Sequence, residues 1–162
     1  AARAGLGAND AANLSAGTLP DARVSNTLTP DQAFRRGNIL GAASQSGGIP
    51  TGAVIERGSN ANGEYVRFAD GTQICWRTYV ATVGVTNALG GSYWGTVSWT
   101  FPVAFSSGAT VTGSASRSGH LSYLKTPDAA VGTDATGNMY VCSVVSETAD
   151  FLIFVVAIGR WF

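Results

Sequence analysis

Charge is what this sequence has least of. Only 12% of its 162 residues are charged, ten acidic against ten basic, so the formal net charge is zero. An ordinary soluble domain is roughly a quarter charged. With no basic stripe to neutralise phosphates, nucleic acid is disfavoured as a partner. Histidine is almost missing too: His120 stands alone, and neither Cys75 nor Cys142 sits in a motif. A Ser or Cys nucleophile therefore has hardly a base to pair with, and no His/Cys cluster of metal-ligand spacing exists. A lone histidine could serve a metal only if three copies met on a threefold axis. Nothing in the chain asks for a cofactor. Both cysteines lie in runs that read as strands, which favours small buried thiols over a disulfide and leaves the redox compartment open. Long apolar runs are missing as well. The longest, Phe151 to Ile158, falls far short of the roughly 20 residues that span a bilayer as a helix.

Bulky apolar clusters are absent from the first 48 residues, where Ala, Gly, Asn and Ser dominate. Such a stretch cannot build a core of its own. Leu14, Leu19 and Val24 recur five residues apart, too sparsely for one chain to bury but suited to three chains sharing an axis. Thr29-Pro30-Asp31-Gln32 has the form of a helix start, with Thr29 as N-cap, Pro30 at the first helical position and Gln32 at the capping-box position. A helix of about two turns to Arg36, ended by Gly37, would follow; a loop is the competing reading. We therefore divide the chain into an extended segment, 1–48, and a β domain, 49–162.

From Ile49 onward short β-type runs alternate with Gly, Asn, Asp and Ser, the texture of an antiparallel sandwich or barrel. Strands are expected near Ala53–Arg57, Glu64–Ala69, Gln73–Val83, Tyr93–Phe101, Ala109–Ala115, His120–Leu124, Asn138–Val145 and Phe151–Ile158. Asp70-Gly71 marks a tight hairpin, because glycine tolerates the positive φ such turns need. In Tyr93–Phe101 the alternation puts Val97, Trp99 and Phe101 on a core face and Thr96, Ser98 and Thr100 on a wet one. Phe151–Ile158 is apolar on both faces. It either lies between two layers or packs its second face on another copy of the chain, which we favour.

Two stretches resemble a known family. Ala11-Ala12-Asn13-Leu14-Ser15-Ala16-Gly17-Thr18-Leu19-Pro20-Asp21-Ala22-Arg23 is similar to the recurring shaft phrase of bacteriophage tail fibres, and Gly48 through Cys75 resembles the opening of their tip domains. Trp99-Thr100-Phe101-Pro102-Val103-Ala104-Phe105, Ala109-Thr110-Val111-Thr112 and Ala157-Ile158-Gly159-Arg160-Trp161 look like core strands of those tips, whose fold is similar to the trimeric H-type lectins. The resemblance implies a homotrimer in a virion tail, assembled in the cytoplasm of the host bacterium. Its N-terminal segment would join other tail or baseplate proteins, and its tip would adhere to surface polysaccharide or lipopolysaccharide. It implies no catalytic residues and transfers no binding site residue by residue.

Hydrolysis of a glycan would need two carboxylates facing across a groove. Several of the seven acids after residue 48 (Glu56, Glu64, Asp70, Asp128, Asp134, Glu147, Asp150) lie in apparent turns, where carboxylates commonly cap the backbone. Glycan binding instead needs an exposed aromatic face flanked by polar groups. Trp99, Phe101, Phe68 and Phe151 are in core phase. Trp94 is out of phase with Val97 and Trp99 and follows the Gly90-Gly91-Ser92 loop, so it is a candidate platform or a rim residue against a neighbouring chain. Trp76 shares a face with Thr72, Thr78 and Thr82. Arg117, His120, Tyr123 and Lys125 cluster in one loop region. The expected ligand-binding residues are Trp94, His120, Tyr123, Arg117 and Trp76, with a purely structural tail connector as the alternative role.

Overall fold

The structure, a computed structural model, describes residues 36–127 and 131–162, with side chains from Asn38 onward. The described chain is one compact unit, Arg36–Phe162. The helix expected over Thr29–Arg36 lies outside the described residues but for its last position. Gly37, expected to end it, lies inside a single helical turn, α1 (Arg36–Ile39).

Eleven strands follow, all paired antiparallel. β1 (Gln45–Ser46) and β2 (Ile49–Pro50) form a small ribbon. β3 (Ile55–Asn60), β4 (Gly63–Phe68), β5 (Thr72–Val85), β11 (Glu147–Arg160) and β8 (Thr110–Ser116) make a five-stranded sheet in that spatial order. β6 (Asn87–Leu89), β7 (Ser92–Val97), β10 (Met139–Ser143) and β9 (Ser122–Lys125) make a four-stranded one. The fold is thus mainly β, two antiparallel sheets about a shared core, as the sequence led us to expect.

The axis of the fold is the β5–β11 pair, in register from Thr72↔Arg160 to Val85↔Glu147. Strict alternation puts Cys75, Val83 and Val85 with Phe151, Ile153, Val155 and Ala157 inward, all nearly or fully buried. The opposite phase points out: Val80 is 63% exposed, Leu152 49%, Phe154 42% and Ile158 48%. The doubly apolar last strand therefore has one covered face and one open face, and no second layer of this chain lies over it among the described residues.

Two hairpins set the geometry. At Asp70-Gly71, between β4 and β5, Gly71 has φ +91° and the Asp70 carboxylate accepts the Thr72 N–H at 2.8 Å; that hydrogen bond holds the carboxyl below its usual range. After Thr86, β5 runs into β6, so one length of chain crosses from the first sheet to the second. Gly90 and Gly91, both with positive φ, turn it back into β7.

Two details depart from expectation. The strand through Tyr93 stops at Val97, because beyond it the backbone bonds to a loop: the Trp99 N–H reaches Thr136 Oγ1 and the Phe101 N–H reaches the Asp134 carbonyl. Trp99 and Phe101 are still core, stacking edge to face with each other and then with Phe105 at 5.0 Å centroid distances. Phe68 is only half-buried, since it ends β4 at the rim. Its carbonyl accepts the Trp161 indole N–H, which ties down the C-terminus.

Candidate functional site

The outward face of the four-stranded sheet gathers aromatic side chains by register alone. Asn87, Trp94, Cys142 and Tyr123 lie side by side across β6, β7, β10 and β9, and the adjacent row is Thr96, Tyr140 and Lys125. The Trp94 and Tyr140 rings meet edge on at 5.4 Å, and Lys125 Nζ sits 6.0 Å from the Tyr140 centroid. Asn87 Nδ2 donates to the Trp94 carbonyl, fixing the short edge strand beside it. Cys142 is almost fully covered between Trp94 and Tyr123. Tyr123 is 53% exposed, and its hydrogen bond with the Cys142 thiol raises its phenol above the ordinary value. Lys125 is the only charged residue in these four strands.

At the other end of this face the exposed residues are aliphatic. Leu89 stands two residues from Asn87, Val144 two from Cys142 and Leu121 two from Tyr123, all in the same alternation phase. They are 68%, 48% and 72% exposed, respectively. The surface thus grades from aliphatic through aromatic to a hydroxyl and an ammonium, the mixture that packs against the apolar face of a sugar ring or the core of a protein interface.

Of the five site residues expected from sequence, the structure brings Trp94 and Tyr123 into one row. Arg117 and His120 face each other across the β8–β9 turn, closed by Gly119 with φ +81°. Arg117 is held there by an ion pair with Glu147 at the start of β11. Trp76 is on the other sheet, on its outward face between Glu64 and Val156. Sequence reasoning missed Tyr140, Asn87 and Thr96. Tyr140 was within reach, because it alternates out of phase with the apolar Met139 and Val141; Asn87 was not, because a three-residue strand leaves no periodic signal.

The carboxylates mostly serve the backbone and each other's neighbours. Glu56 accepts from the Tyr65 hydroxyl and the Ala43 N–H, both at 2.8 Å, and lies 3.9 Å from Arg67. Asp70 caps its turn, Asp150 accepts from Thr82, and Glu147 holds Arg117. Among the described residues no three His, Cys, Asp or Glu side chains come together as a metal-binding group.

Fold and surface together define a two-sheet antiparallel β unit with one aromatic and one aliphatic outward face. Among solved structures it is similar to an N-truncated R1-type pyocin tail fibre, with 16% identity and a TM-score of 0.45 over 65% of this chain and 85% of that one. It is also similar to a C-terminal fragment of the P. aeruginosa R1 pyocin fibre, with 18% identity and a TM-score of 0.45 over 93% of this chain and 37% of that one. No protein-family model matches the chain, and no curated protein matches it.

Proposed function

We propose that this chain is the distal part of the tail fibre of a bacteriophage or phage-like particle, a non-enzymatic homotrimeric adhesin of H-type-lectin-like build. It binds polysaccharide or lipopolysaccharide on the bacterial surface, while residues 1–48 join it to other tail or baseplate proteins. The observation that carries the reading is the Trp94–Tyr140–Lys125–Tyr123 face. An aromatic pair, a second half-exposed phenol, a hydroxyl and an ammonium share one sheet surface with no carboxylate in its strands. The shaft phrase and the tip-like strands of the sequence support the tail-fibre setting. The exposed Leu152, Phe154 and Ile158 of β11, on its β8 side, support self-association, since contiguous exposed apolar surface on a small unit marks a contact site.

A second reading draws on Leu89, Leu121 and Val144. Three exposed aliphatics beside Trp94 suit burial by another protein, which would make the chain a structural connector. Binding of the intact protein to purified bacterial surface polysaccharide, compared with Trp94→Ala, separates the two. A loss of about tenfold or more in the variant, with an unchanged unfolding midpoint, is expected for a stacked sugar. Equal binding by both proteins would remove Trp94 from the site. No binding by either would put the connector in front.

A further inference from the structure

A second, smaller site lies where the β3–β4 hairpin ends against β5. β4 pairs with β5 only from Gln73 to Trp76, yet β5 continues to Val85, so its β4-side edge loses its partner strand just past Trp76. The hairpin turn closes down on this point. Gly63 has φ +133°, and any Cβ there would collide with the Trp76 carbonyl. The turn is also locked from behind. Asn60 Nδ2 donates to the Pro102 carbonyl at 2.8 Å, Asn60 Oδ1 accepts the Asn62 N–H, and the Asn62 carbonyl accepts the Trp99 indole N–H at 2.7 Å. The walls of the notch are therefore set before any ligand arrives.

The notch has a volume of about 360 Å³ and is lined by Ser59, Asn60, Glu64, Trp76, Thr78 and Tyr79, among others. Ser59, Glu64 and Trp76 form a single cross-strand row. Trp76 is half-buried, and unlike Trp99 and Trp161 its indole N–H has no acceptor among the described residues. Glu64 is exposed and has no ion-pair partner among them, whereas the Arg77 guanidinium is stacked 4.5 Å from the Tyr79 ring centroid.

We infer that this notch is a second carbohydrate subsite, separate from the four-stranded sheet, and that it takes an uncharged pyranose. The Trp76 indole offers the stacking surface. The Glu64 carboxylate accepts from two adjacent ring hydroxyls, and Ser59 supplies a further hydroxyl partner. A uronic acid is disfavoured because its carboxylate would lie against Glu64. The inference shares with the proposed function only the class of ligand and none of its residues.

The test uses the intact chain in its native assembly with ¹⁵N-labelled tryptophan, the Trp76 indole signal being assigned with Trp76→Phe. Methyl glucoside, methyl galactoside, methyl mannoside and glucuronate are titrated in turn. The Trp76 signal should move with at least one neutral glycoside and not with glucuronate, while Trp161, committed to the Phe68 carbonyl, stays fixed. Glu64→Gln, an isosteric change at an exposed position, should weaken that response about tenfold. A Trp76 signal unmoved by all four probes overturns the subsite, and if Trp94 responds alone the receptor reading survives it. A response to glucuronate as strong as to the neutral sugars overturns the ligand class. A Trp76 response alongside polysaccharide binding that is indifferent to Trp94→Ala upholds the notch and removes Trp94 from the receptor site.

Discussion

Gln73 and Cys75 sit side by side on the buried face of β5, both with no solvent exposure. Gln73 is a polar side chain that the core accommodates by satisfying it. Its Nε2 donates to the carbonyls of Val103 and Ala104, each at 3.2 Å, and its Oε1 accepts Arg67 Nε at 2.8 Å. Gln73→Leu keeps the volume roughly but strands those groups, so a loss of about 1–3 kcal/mol is expected in urea unfolding. A neutral result would mean that the Val103–Ala104 loop finds other donors. Burial pushes the Cys75 thiol up to about 11, opposed weakly by Gln73 and the Val103 carbonyl. Tyr65 is raised by its hydrogen bond to Glu56, and Tyr79 by burial. All three hold their protons more tightly folded than unfolded. Stability is therefore full below the unfolded values and falls as pH rises from about 9 through about 11. Urea midpoints measured across that window should decline, and Cys75→Ala should flatten the slope. An unchanged slope in the variant would assign the decline to the tyrosines.

The strands carry a second set of consequences. β7 could not approach β5 with a side chain at Gly95, where a Cβ would meet the Gly84 carbonyl and Val83. Gly95→Ala should force the sheets apart and cost about 1–3 kcal/mol, as overpacking does; thermal unfolding reads this directly. The outward face of β11 tests assembly instead of folding. Phe154 is 42% exposed and pairs with Thr78 and Ser114, so a charge there can be solvated by the single chain. Phe154→Glu should leave the unfolding midpoint of the separated chain nearly unchanged while abolishing the proposed self-association. Light scattering would then report one chain of 16.6 kDa in place of three. Persistence of the assembly would move the interface away from this sheet.

For the molecule as a whole, the proposed trimer would convert three weak single sites into firm attachment. With each chain presenting one aromatic face, the proposed trimer should bind a polysaccharide-coated surface about 100-fold or more tighter than the Phe154→Glu chain, although both have the same soluble-glycan affinity. Equal binding to the surface would mean that only one site engages at a time. Low charge fits the proposed mode of contact, because a surface of aromatics and hydroxyls with one ammonium, Lys125, would give an attachment that salt screens little.

Much of this was legible in the residues. Alternation in β5 and β7, the apolar run of β11 and the Asp70-Gly71 turn gave the mainly β class, most strand positions and the core phase of Trp99 and Phe101, because burial on one sheet face writes a period of two directly into a strand. The same alternation marked Trp94 and Trp76 as facing outward. Which of them share a surface was not in the sequence, since that depends on pairing between strands far apart in the chain. Register brought Tyr123 and Tyr140 to Trp94, and sheet order sent Trp76 to the opposite side of the molecule. The notch has the same origin: it exists because β4 ends while β5 continues. Local periodicity sets which way a side chain points; only long-range pairing sets what it points beside.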